Sequence, residues 1–102
     1  MTEEERKQYM EAFGKRVKAY REALGMTQGE LAVKAGYSDG ANPAATVSKI
    51  ERGLMDITQS KCYDIAKALE IEPYQLFTTE SVGRLVKYAE LITEERKNVD
   101  KQ

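Results

Sequence analysis

From Thr2 to Ile92 the apolar residues recur at steps of three and four, and no stretch alternates with period two over a useful length. This confines the chain to helices, and its glycines cut those helices short. Met10, Phe13, Val17, Tyr20 and Leu24 share one face, which predicts a first helix from about Thr2 to Leu24, stopped by Gly25. Thr27 caps a second helix, "QGELAVKA", with Leu31, Ala32 and Ala35 on one side and Gly36 at its end. Asn42 and Pro43 restart the chain as an N-cap followed by proline at the first helical position. Val47 and Ile50 turn this third helix inward, and Gly53 closes it. Thr58 caps a fourth helix carrying Cys62, Ile65, Ala66 and Leu69, and Glu72-Pro73 opens a short fifth turn through Leu76 and Phe77. A sixth helix begins at Ser81, with Val82, Leu85, Val86, Ala89 and Ile92 at helical steps.

A chain of 102 residues, 41% apolar and 32% charged, suits one modest core and one globular domain. No apolar run approaches the ~18 residues of a membrane span, and the acidic start "MTEEERKQY" is unlike a secretory signal. A single cysteine rules out an internal disulfide and suits a reducing cytoplasm. With no histidine and one cysteine, a zinc site or a histidine-based triad has no parts, so the reading is of a non-enzyme without metal or cofactor. Net charge is −1, but unevenly spread: Gly14 to Thr78 holds nine Lys/Arg against eight Asp/Glu, while residues 1–13 hold two against four. Composition alone gives no indication of nucleic acid.

The second and third helices form the informative pair, because a short second helix after a turn can lie in a major groove about 12 Å wide. "YREALGMTQGELAVKAGYS", then "VSKIERG", then "IAKALEIEPYQLF" resembles the Xre or lambda-repressor/Cro-like helix-turn-helix family over roughly Phe13 to Phe77. The resemblance rests on several linked elements at near-family spacing. It implies an all-α, five-helix lambda-repressor-like domain over residues 1–78 with an extended first helix, followed by the extra helix of residues 79–102.

The resemblance also assigns residues. With Thr27 before it as a further DNA-contact candidate, Gln28, just inside the second helix, matches a glutamine that holds a DNA phosphate, where the helix N-terminus itself favours an anion. Its plain alternative is a solvated polar residue. On helix 42–52, Ala44, Ala45, Ser48, Lys49 and Arg52 fall on the side away from Val47 and Ile50, the side with which the family reads bases. Lysine can bond guanine O6 and N7, serine several base edges, and alanine a thymine methyl, whereas Arg52 is better suited to phosphate. Arg21 and Glu51 match a structural pair that ties the first helix to the third. Cys62 lies on an apolar stripe and reads as core rather than as a redox group.

Two features depart from the family pattern. After "ERG", where relatives carry basic and small polar residues, this chain runs "LMDITQ" without one Lys or Arg. Between Gly36 and Gly53 there are also about five more residues than relatives place there, an extra length that costs only about 0.6 kcal/mol per doubling of a loop. In this loop, residues 37–42, Ser38 and Asn42 are candidates to bond phosphate or a base edge, while Asp39 repels phosphate; the bland reading is a harmless insertion. The 82–92 stripe either packs on the chain's own core or forms a dimer seam. The functional expectation is a cytoplasmic, sequence-specific DNA-binding regulator, a repressor acting on double-stranded DNA as a homodimer. The alternative is a protein-interaction module, such as an antitoxin subunit with a protein partner and secondary DNA binding.

Overall fold

A computed structural model of the chain describes residues 1–37, 40 and 42–78. Ser38, Asp39 and residues 79–102, with the sixth helix expected there, lie outside the described residues. The described part holds four α-helices, α1 Glu3–Ala23, α2 Gln28–Lys34, α3 Pro43–Glu51 and α4 Gln59–Ala68, then a 3₁₀ helix Pro73–Phe77. The expected fifth helix is thus a tighter 3₁₀ piece opened by Pro73, and the described residues contain no strand.

Local chemistry sets most boundaries. Thr2 Oγ1 accepts the Glu5 amide at 3.0 Å while the Glu5 carboxylate accepts the Thr2 amide at 3.1 Å, which closes a reciprocal cap on α1. Thr27 and Glu30 repeat the device at the start of α2 with the same two distances. Thr58 caps α4 through the Lys61 amide at 3.2 Å. Asn42 departs from expectation: it occupies the N-cap position before Pro43, yet its side chain makes no capping hydrogen bond. With φ −144° and ψ 79° its backbone is far from the extended geometry of Thr2, Thr27 and Thr58. Pro43 needs no amide partner and fixes its own φ, so α3 starts without side-chain help.

All four α-helices end alike. The amide two residues beyond the C-cap returns to a carbonyl five residues back: Met26 to Arg21, Tyr37 to Ala32, Leu54 to Lys49 and Ile71 to Ala66. Three of these ends use a glycine at positive φ, and the fourth uses Glu70 at φ 60°.

Among the described residues fourteen apolar side chains form one core, including Val17, Tyr20, Leu31, Ile50, Ile65, Leu69 and Leu76, each 1% exposed or less. It joins the inner faces of α1 to α4 and is closed by the 3₁₀ helix. Arg16 donates to the Leu76 carbonyl at 3.1 Å, and the Tyr20 hydroxyl lies 3.5 Å from that of Gln75. Met10 and Leu24, the ends of the predicted α1 stripe, are only half-buried, and Phe77 is 44% exposed.

The caps give the fold an acid sensitivity. The backbone amides of Thr2 and Thr27 hold the carboxyls of Glu5 and Glu30 below the usual carboxylate range. A depressed folded pKa means stabilisation present above the unfolded value, about 4.3, and lost as pH falls through the folded value. The double variant Glu5→Gln, Glu30→Gln keeps both cap geometries without the ionisation. Its thermal midpoint should therefore fall less than the parent's when pH is lowered below about 4.3.

Candidate nucleic-acid interface

The interface is organised around one buried carboxylate. Glu51, in the last turn of α3, accepts Arg21 Nε at 2.6 Å and Arg21 Nη2 at 3.0 Å, so α1 and α3 are clamped by a two-pronged ion pair. Arg21 Nη1 donates to the Met26 carbonyl at 2.8 Å, which also fixes the turn leading into α2. The two side chains are 10% and 3% exposed. The hydrogen bond to Glu51 holds the Arg21 guanidinium above its ordinary range, against the opposing effect of burial. The structural pairing expected of Arg21 and Glu51 is therefore present.

Sequence reasoning missed a third member. Gln28 Nε2 donates to Glu51 Oε1 at 3.0 Å, so the first residue of α2 is fastened to the last of α3. Residues 23 apart along the chain give no local signal of such a bond. Gln28 is half-buried, and one amide proton and the amide oxygen lie outside this bond. Thr27 beside it is exposed and committed to its cap. Glu30, in the same first turn, places a carboxylate near the start of α2 and works against any anion approaching there.

On α3 the buried side is wider than Val47 and Ile50 alone, because Glu51 is buried with them. At about 100° per residue, the direction opposite these three falls among Ala45, Lys49 and Arg52, with Ser48 at its edge. Lys49 and Arg52 are exposed, while Ala45 and Ser48 are half-buried. Ala44 is turned further round than expected, toward α2: a Cβ built on Gly29 would lie 3.9 Å from the Ala44 Cβ. Arg52 Nε reaches back to the Ser48 carbonyl at 3.3 Å, and Lys49 has no ion-pair partner among the described residues. Asn42, exposed at the head of α3, keeps its side chain clear of the helix amides.

The inserted loop has firm ends. The Tyr37 amide bonds the Ala32 carbonyl at 2.8 Å, and Lys61 Nζ lies 4.5 Å from the centre of the Tyr37 ring and 3.4 Å from the Ala35 carbonyl. The described chain enters the loop from a pinned Tyr37 and resumes as helix at Pro43, and α2 and α3 pack against each other.

Two short helices crossing at a turn, with the second offering exposed cationic side chains opposite its buried face, define a helix-turn-helix protein. The sequence signature described as "Helix-turn-helix" matches residues 17–76, more than half of the chain. The chain belongs to that family, whose Xre- and lambda-repressor-like members are DNA-binding regulators. No curated protein and no solved structure matches the chain. Among the described residues no helix is long and apolar enough to cross a membrane.

Proposed function

We propose that this protein is a sequence-specific transcriptional regulator, a repressor that occupies double-stranded operator DNA by laying α3 in the major groove. The observation that carries the reading is Lys49: exposed, opposite the buried face of α3, and without an ion pair among the described residues. Lys49 reads a guanine edge, Ser48 and Ala45 contact neighbouring bases, and Ala44 is limited to the margin of the groove. Arg52 and Gln28 meet phosphates on either side, Gln28 through the donor that Glu51 leaves unused, with Asn42 and Thr27 nearest the backbone. Two copies on a palindromic site, their reading helices about 34 Å apart, supply the contact area that one small domain lacks. The nearly balanced charge of the domain makes this pairing more necessary, because few phosphates are neutralised per copy.

The test separates the roles. Lys49→Ala should weaken binding to the selected site by about 1–3 kcal/mol and relax preference at one base pair. Arg52→Ala should weaken all sequences alike and reduce the slope of log K against log salt by about 0.9. Binding isotherms at several salt concentrations, on sites selected from random duplexes, give both readings; identical behaviour of the two variants would remove this division of labour.

A second reading draws on Leu54, 65% exposed, and Met55, 37% exposed, which follow α3 where a DNA-binder gains from basic residues. They suit a partner protein, as in an antitoxin subunit. A purified chain that passes heparin and DNA columns without retention would favour that reading.

A further inference from the structure

Beyond the C-terminal end of α3 lies an apolar groove of about 380 Å³, walled by Tyr9, Phe13, Met55, Ile57, Tyr74 and Phe77. Its rings pack at tilted angles: the Phe77 centroid is 5.4 Å from that of Phe13 and 6.3 Å from that of Tyr9. Yet Tyr9, Tyr74 and Phe77 are 50%, 67% and 44% exposed among the described residues, a concentration of large apolar surface on one face. Among the described residues Asp56 is the one acidic group at the groove, and its carboxylate is already met by Arg6 at 3.1 Å. The groove therefore offers apolar area and little net charge, and no residue of α2 or α3 lines it.

We propose that this groove is the seat of the chain's own residues 82–92. Three observations converge. The groove's last wall residue, Phe77, is separated from Val82 by only four residues, Thr78 to Ser81, a length that joins antiparallel helical neighbours. The segment that follows carries Val82, Leu85, Val86, Ala89 and Ile92 at helical steps, an apolar stripe that needs a partner surface. A connection that short gives an effective concentration in the millimolar range or above, so the chain's own segment outcompetes a second copy at ordinary protein concentrations. Seated there, it covers the exposed rings and leaves α3 free for DNA.

The test uses the full chain, which has no tryptophan, with Tyr74→Trp as a reporter at the groove wall. Emission shifted to the blue and quenching by acrylamide well below that of a free indole are expected. Adding Leu85→Asp or Ile92→Asp should move the emission to the red and raise quenching toward the free-indole level, while Lys87→Asp, off the apolar stripe, should change neither. A reporter already as exposed in the single variant as a free indole overturns the proposal, whatever the aspartate variants do to folding. Shielding that fades on dilution, as the mass by light scattering falls to that of one chain, also overturns it and assigns the groove to a second copy.

Discussion

Glu51→Ala should cost the domain about 3–5 kcal/mol of stability, because it leaves the Arg21 guanidinium, 10% exposed, with a buried charge and one carbonyl partner. Domains of this size are stable by only about 5–15 kcal/mol, so much of the total is at stake. The thermal midpoint should drop by at least about 12 °C. The exposed Glu22 carboxylate, 4.0 Å from Arg21, is too far and too well solvated to replace Glu51. Arg21→Ala should cost a similar amount, since it strands the carboxylate instead, although Gln28 still donates to it. Replacing both partners by apolar residues of similar size, Arg21→Met with Glu51→Leu, should recover most of the loss, because neither charge is then buried alone. Chemical denaturation of the parent, Arg21→Met, Glu51→Leu and the double variant forms a double-mutant cycle. A coupling energy near zero would show that the pair does not clamp α1 to α3. DNA affinity of the double variant then reads out orientation: with stability restored, any remaining deficit reports the loss of the Gln28 anchor on α3.

How much of this was legible in the sequence depended on the range of each interaction. The caps at Thr27 and Thr58, and the chain reversals at Gly25, Gly36 and Gly53, involve residues within five positions of one another, so their residue types announce them, whereas Thr2, expected as the first residue of the helix, is its cap. The inward faces of α2 and α4 follow from the apolar steps alone. The Arg21–Glu51 clamp spans 30 positions, and only the family resemblance pointed to it. Even then the burial of Glu51 was not carried through to the wheel of α3, where it widens the inner arc and turns Ala44 toward α2. A glutamine in a first helical turn has no local partner, so sequence alone points Gln28 outward; its acceptor lies on another helix. The Asn42–Pro43 restart was legible as a boundary, but the missing side-chain bond depends on a backbone conformation that residue type does not dictate. The candidate site residue Ser38, like Asp39, falls outside the described residues, so its assignment rests on sequence alone.

Gly14 had no place in the sequence reading, and it should give the sharpest contrast between two glycines. It lies in the middle of α1, buried, where an alanine would ordinarily gain up to about 1 kcal/mol in helix propensity. Here α1 crosses the end of α3 backbone to backbone. A Cβ at Gly14 would lie against the Ile50 carbonyl, 2.6 Å from the Glu51 carbonyl oxygen and 2.8 Å from its carbon. Ordinary contact begins near 3.4 Å, and backbone cannot step aside as a flexible side chain can. The two helices must separate, which loosens Val17 and Ile50 and strains the Arg21–Glu51 bond whose shortest arm is 2.6 Å. Overpacking of this kind costs about 1–3 kcal/mol or more, so Gly14→Ala should be destabilising by about 2 kcal/mol despite its better propensity. Gly29, also helical, should behave in the opposite sense. Its added Cβ would meet Ala44 Cβ and Thr27 Oγ1 only at 3.9 Å, ordinary contact, so Gly29→Ala should be neutral or stabilising by up to about 1 kcal/mol. Urea denaturation of the two single variants decides the matter. Equal effects, of either sign, would mean that α1 and α3 do not approach as closely as their backbones indicate.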